Sequence, residues 1–205
     1  HWLIYPLIQK SQVGTNLHCL LRMRTPFELQ NDFSVAILGL SKFFREDAAV
    51  TAQTMQIGNR PCRIYGEAHA EYLLLQMTGE HELQSMESEV TAIAQSAHHF
   101  LFAAVPVESW NDALSPWEAP AVWGKQGFGG KAGETLCLLT EQVIPSLKQQ
   151  FDLPENVKII LGGYSLAGLF ALWASTQTDL FYGVAAASPS VWFPGWVGLE
   201  EQHSR

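Results

Sequence analysis

After Met55 the apolar positions fall into two alternating patterns: short continuous runs, and runs spaced three or four residues apart. The alternation predicts strands separated by helices. "EYLLLQM" (71–77), "FLFAAVPV" (100–107) and "VKIIL" (157–161) are apolar nearly throughout, as strands covered on both faces are. Residues 83–97 put Met86, Val90, Ile93 and Ala97 at helical spacing, with acidic residues between them. Residues 134–151 place Leu136, Leu139, Val143 and Leu147 on one stripe, and Pro145 is expected to bend or break that helix. "LAGLFALWAS" (166–175) reads as a third helix, and "YGVAAASPS" (182–190) as a strand running into a loop. Gly-Asn inside "MQIGNRPCRIYG" (55–66) predicts a hairpin ahead of the main sheet.

Such alternation implies an α/β fold with a mostly parallel sheet and helices on both faces. Ligands of these sheets bind outside the carboxyl ends of the strands. The loops starting near 78, 108, 162 and 188 are therefore the ones expected to carry function.

Before Met55 no period is sustained, and the charge balance differs. Residues 1–63 hold seven basic and four acidic side chains; from 64 onward there are five basic and sixteen acidic. One reading makes 1–54 an N-terminal extension, with the α/β domain occupying 55–205. The plainer reading is an ordinary N-terminal layer of short strands and a helix. A formal charge of −8 argues against nucleic acid, whose binders concentrate Lys and Arg on one face. Cys19, Cys62 and Cys137 show no CxxC spacing, which suits a reducing compartment and supports no metal site. The start lacks the layout of a signal peptide, and "FSVAILGL" (33–40) is too short to span a bilayer. A cytoplasmic protein without a membrane partner is the expectation.

The densest chemistry is in "IILGGYSLAGLFALWAS" (159–175). A strand ending in Gly163-Tyr164-Ser165-Leu166-Ala167-Gly168 and turning straight into a helix is close to the G-x-S-x-G nucleophile elbow. The turn is tight, so residues two before and two after the serine must be small. Gly163 meets that need; Ala167 stands where a second glycine is usual, and Gly168 follows. The turn would raise the Ser165 hydroxyl at the top of the sheet and aim the Leu166 N–H at an oxyanion, with the helix N-terminus adding favourable field. Two blander readings compete. Ser165 could simply cap a helix, or the loop could bind phosphate. Against the second, neither G-x-x-x-x-G-K-[ST] nor G-x-G-x-x-G is present.

"ILGGYSLAGLFALWA" followed by "AAASPSVWF" resembles the esterase branch of the α/β-hydrolases, which includes S-formylglutathione hydrolases, feruloyl esterases and siderophore esterases. "WNDALSPW" and "VIPSLKQQF" are similar to the same branch, so the resemblance runs from about Met55 to about Trp196. It implies hydrolysis of a small-molecule carboxylic ester or thioester through an acyl-enzyme on Ser165, with no cofactor. It also implies a second oxyanion donor after the strand matching "EYLLLQM", at the backbone N–H of Met77 or Thr78, although the usual Asp-Gly ending is absent. Five tryptophans sit in the loops expected to flank the serine: Trp110, Trp117, Trp123, Trp192 and Trp196. They suggest an apolar pocket wall, with Tyr164, Trp192 and Trp117 as candidate substrate contacts. Plain loop packing is the competing account, and it suits Trp110 and Trp123 better.

A serine needs a base to take its proton and an acid to orient that base. In α/β-hydrolases the order is serine, acid, histidine. After Ser165 the only Asp is Asp179, between helix and next strand, and the only His is His203, in a polar tail. His98 and His99 precede a strand and belong at its amino end. His81 is on the correct side but breaks the order; Asp112 and Glu118 meet similar objections. The expectation is that the acid, the base and the last strands lie beyond Arg205. Residues 1–205 alone would then leave the sheet edge after "VAAAS" unpaired and be nearly inactive. A non-catalytic binding module on the same fold is the alternative from another class, and a nucleotide-binding protein is a third.

Overall fold

The computed structural model describes residues 2–6, 52–79, 82–83 and 86–198. Of the expected extension 1–54, only 2–6 and 52–54 fall within that set. His81 and His203 lie outside it. The strands are β1 (Trp2–Pro6), β2 (Gln53–Ile57), β3 (Arg60–Gly66), β4 (Tyr72–Gly79), β5 (Phe100–Val107), β6 (Glu118–Ala119), β7 (Phe128–Gly129), β8 (Lys158–Tyr164) and β9 (Gly183–Ala187). The helices are α1 (Met86–Ala94), α2 (Trp110–Leu114), α3 (Ala132–Leu138), α4 (Ile144–Gln150) and α5 (Leu166–Gln177). Among the described residues no helix is long and apolar enough to cross a membrane.

Seven strands form one sheet in the order β1-β9-β8-β4-β5-β3-β2. Its centre, β9-β8-β4-β5, is parallel. The expected hairpin β2–β3 adds antiparallel strands at one side, starting at Gln53. At the other side β1 runs antiparallel to β9, from Trp2 opposite Ala187 to Pro6 opposite Gly183. The edge of β9 is thus paired rather than open, in contrast to the sequence-based expectation.

Two-sided burial explains the continuous apolar runs. All eight residues of β5 are buried. Its Leu101, Ala103, Val105 and Val107 join a core that also holds Leu139, Leu147, Leu169 and Phe170 from α4, α5 and the turn before α4. Phe100, Phe102 and Ala104 instead meet Met86 and Val90 of α1. Helices therefore cover both faces, as the strand pattern requires. Truncating a fully buried leucine here, such as Leu101 or Leu161, costs about 2–5 kcal/mol because the cavity left behind closes only in part.

Pro145 does not break its helix. It has no N–H to give back to Glu141, and a π-helical turn at Leu139–Val143 joins α3 to α4 just ahead of it. That turn keeps Leu139, Val143 and Leu147 buried on one stripe.

The strand order also locates the crevice. From β4 the chain crosses to β5 on one side, whereas from β8 it crosses to β9 on the other. The direction of winding reverses between β4 and β8, and side chains at their carboxyl ends border the gap that reversal opens. Ser165 is the first residue after β8.

Candidate active site

Ser165 stands at φ 56° and ψ −117°, between the end of β8 and the first turn of α5. A capping serine takes an extended conformation and turns its oxygen onto the N–H groups of the first helical turn. Ser165 does neither, since its side chain makes no capping bond. The helix-cap reading fails on that geometry. A positive φ at a non-glycine residue costs on the order of 1–3 kcal/mol and persists only where surrounding contacts enforce it.

Those contacts are visible. The Ser165 N–H donates to the Ala187 carbonyl at 3.0 Å, extending the β8–β9 ladder by one residue. Its carbonyl accepts from Leu169 N–H at 3.1 Å and from Ser190 N–H at 3.0 Å. A Cβ at Gly163 would lie 2.5 Å from the Ala167 Cβ and 2.7 Å from the Ala167 carbonyl oxygen. Only glycine fits there, which is the requirement read from the motif. One at Gly168 would meet the Gly163 carbonyl oxygen at 3.0 Å and Pro189 at 3.3 Å.

Leu166 is the first residue of α5, so its N–H has no acceptor one turn earlier in the helix. It lies beside the Ser165 hydroxyl in sequence, at the positive end of the helix dipole. Ser165 itself is half-buried. An electron-poor carbon held at its Oγ could be attacked there, with the amide and the helix terminus receiving the charge that develops.

Met77 and Thr78 lie near the end of β4, opposite Val105 and Pro106 of β5, and both are buried. The Thr78 hydroxyl donates to the Gly79 carbonyl at 2.6 Å. The Gly79 N–H donates to the Glu82 carboxylate at 2.9 Å. Pairing of β4 with β8 ends at Gln76 opposite Gly162. Met77, Thr78 and Gly79 thus extend past that pairing, alongside Gly163, Tyr164 and Ser165.

Tyr164 is exposed and lines a cavity of about 230 Å³ with Gln76, Met77, Glu82, Met86, Glu89 and Trp110. Met77, Met86 and Trp110 supply its apolar lining, and its polar end is a small network. Gln76 Nε2 donates to a Glu89 oxygen at 3.1 Å, while the other Glu89 oxygen is buried with no partner among the described residues. Burial raises the Glu89 carboxyl above its ordinary range and the nearby Glu82 charge adds to the rise, against the lowering effect of the Gln76 bond. A wider hollow of about 540 Å³ follows the loop from Asp112 to Gly129, and no residue of the elbow lines it.

The aromatic loops separate into two roles. Trp196 is buried in the core. Trp117 donates its ring N–H to the Pro194 carbonyl at 2.8 Å and packs against Phe193, so its ring holds the loop after β9. Trp110, expected to do no more than pack, also borders the smaller cavity. Trp123 is 67% exposed and meets Trp192, 44% exposed, edge to face at 4.3 Å. These two rings form a surface pair, not a layer pressed onto the sheet.

The described histidines are His69, His98 and His99, and all three precede β4 or β5, at the amino ends of the strands. Asp179 is exposed in the turn before β9, at the same end. None of them is brought to Ser165. Among the described residues there is also no group of three or more His, Cys, Asp or Glu side chains able to hold a metal ion. What the structure adds is Ser190, whose Oγ lies 3.1 Å from Ser165 Oγ. Nothing in the local pattern of "SPS" singles it out, because its partner lies 25 positions away.

No family model matches the sequence, and no curated protein matches it. Solved structures do. An IroE-like serine hydrolase from Shewanella oneidensis superposes with a TM-score of 0.63 at 21% identity, over 74% of this chain and 55% of that one. The BES protein from Bacillus cereus gives 0.53 at 19% identity, over 80% and 70%. The siderophore hydrolase EstA from Aspergillus nidulans gives 0.52 at 19% identity, over 78% and 65%. The chain thus spans between 55% and 70% of the length of these proteins. A central parallel sheet, helices on both faces and a strained serine at the strand-to-helix turn after β8 accompany that likeness, and the chain has the α/β-hydrolase fold of these serine and siderophore hydrolases.

Proposed function

We propose that the protein hydrolyses carboxylic esters or thioesters of small molecules through an acyl-enzyme on Ser165. The observation that carries this reading is the backbone of Ser165, held at φ 56° at the start of α5 with no capping bond to justify it. In the proposed reaction Ser165 Oγ attacks the acyl carbon as its proton passes to a base. The oxyanion formed is held by the Leu166 N–H, the N-terminus of α5 and a second amide at the end of β4, Met77 or Thr78. The alcohol or thiol leaves with that proton, and water then releases the acyl group by the reverse sequence. Tyr164 and Trp192 contact the substrate, Tyr164 as part of the cavity wall beside the elbow. Because the described histidines and Asp179, the described carboxylate that follows Ser165, sit at the opposite end of the sheet, the proposed acid and base come from residues outside the described set.

The test is hydrolysis of p-nitrophenyl acetate and of an aryl thioester by the whole gene product carrying this chain. Turnover that Ser165→Ala reduces by about 10³-fold or more supports the reading. Turnover that survives the substitution contradicts it.

A further inference from the structure

Ser190 is 1% exposed. Among the described residues, Ser165 Oγ at 3.1 Å is the partner of its hydroxyl. A buried hydroxyl that gives its proton to nothing is costly, so the Ser190 proton is directed at Ser165 Oγ. Ser165, half-buried, keeps its own proton free for a base or for solvent. The polarity of the bond follows from this difference in burial. Burial favours Ser190 as the donor and the elbow serine as the acceptor.

The loop that carries Ser190 is built to hold it there. Its N–H donates to the Ser165 carbonyl at 3.0 Å, and its own carbonyl accepts from Phe193 N–H at 2.9 Å. Pro189 packs against Gly168 at the start of α5, closely enough that an added Cβ on that glycine would lie 3.3 Å from it. Ser188, one residue earlier, is itself at φ 44°. Two strained residues, Ser165 and Ser188, are thus joined through Ser190, which grips the first by backbone and side chain together. Strain concentrated in this way is maintained where a geometry must be held.

We propose that Ser190 is a positioning residue for the reaction of Ser165. Its hydroxyl fixes the rotamer of the nucleophile and donates to Oγ as negative charge builds there, in attack and again when Oγ leaves the acyl group. The inference rests on the reading of Ser165 as nucleophile. Hydrogen bonds strengthen when the acceptor becomes charged, so the contribution falls on the chemical steps and not on substrate binding.

The experiment has two arms, both on the whole gene product. In the first, Ser190→Ala lowers kcat for p-nitrophenyl acetate about tenfold or more with KM nearly unchanged, and Ser190→Thr recovers most of the loss. In the second, thermal stability is followed through Ser165→Ala, Ser190→Ala and the double variant. Ser165→Ala orphans the buried Ser190 hydroxyl and lowers Tm, and adding Ser190→Ala restores part of it. Unchanged kcat in Ser190→Ala overturns the inference while leaving the nucleophile intact, as does additivity of the two Tm changes. Absence of any Ser165-dependent turnover in the wild type sinks the nucleophile reading, and this inference with it.

Discussion

The two ends of the central sheet look alike in several respects and differ in the one that matters. Both carry non-glycine residues at positive φ: Ser165 and Ser188 at the carboxyl ends, His69, His99 and Asp152 at the amino side. Both carry paired polar side chains. At the amino side His69 Nδ1 lies 3.2 Å from an Asp152 oxygen, and His99 Nδ1 lies 3.3 Å from a Glu67 oxygen. These pairs are 64–86% exposed, so water competes with each partner. The left-handed residues there sit in open turns. At the amino side His69 and Asp152 also bond each other, but in the open. At the carboxyl end Ser165 is held by backbone bonds to Ala187 and Ser190, on either side of Ser188, a helix begins beside it, and the Ser190 hydroxyl is sealed from solvent. Neither strain nor a histidine–carboxylate pair alone separates the two ends; the carboxyl end differs in placing its strain around a hydroxyl at a helix N-terminus.

The largest expected effect comes from crowding the enforced end. Gly163→Val puts atoms where Ala167 already stands. It should abolish turnover and destabilise the fold by about 3 kcal/mol or more, read as loss of the cooperative melt. A variant that melts and turns over normally would show the elbow to be far looser than its contacts imply.

Tyr164→Ala should act next in size and on substrate instead of fold. The ring is 58% exposed, so Tm should hold within a degree or two. KM for esters with bulky acyl groups should rise severalfold, and KM for acetate esters should change less. Equal changes for all acyl groups would detach the cavity from the reaction.

Glu89→Gln tests the polar end of that cavity. A carboxyl whose folded pKa is raised favours its protonated form in the fold. Its stabilising contribution is full below the unfolded value and is lost as pH rises through the folded one. Replacing Glu89 by the uncharged amide should therefore raise Tm at pH 7, and the gain should vanish as pH falls below the ordinary carboxylate range. A gain that persists in acid would assign the effect to packing.

His99→Gly, at the amino side, should have the smallest effect. Relief of φ 56° and loss of one exposed ion pair nearly offset each other, so Tm shifts by a few degrees at most and kcat stays at the wild-type value. A fall in kcat would bring the amino end into the mechanism.

The legible parts of this molecule are those whose cause is local. Strands buried on both faces are apolar at most positions, so β4, β5 and β8 stand out in the chain. The elbow is legible because its geometry excludes side chains at specific neighbours, and Gly163 records the exclusion. Pro145 marks a defect, but the choice between a break and a π-helical turn depends on the core that Leu139, Val143 and Leu147 must reach. The pairing of Trp2–Pro6 with β9 is illegible because an edge strand of five residues carries no sustained period. Ser190 is illegible for a related reason. A serine after "SP" has many uses, and only the fold brings this one to Ser165.

The most direct test of Ser165 is to ask which residue of the whole gene product a fluorophosphonate modifies. The reagent needs an activated serine and forms a stable adduct on it, and peptide mass spectrometry locates the adduct. One phosphonylated peptide is expected, modified at Ser165, with labelling lost in Ser165→Ala and slowed about tenfold in Ser190→Ala. Adduct on another serine, or a folded protein that stays unmodified under conditions that label a serine hydrolase to completion, would contradict it.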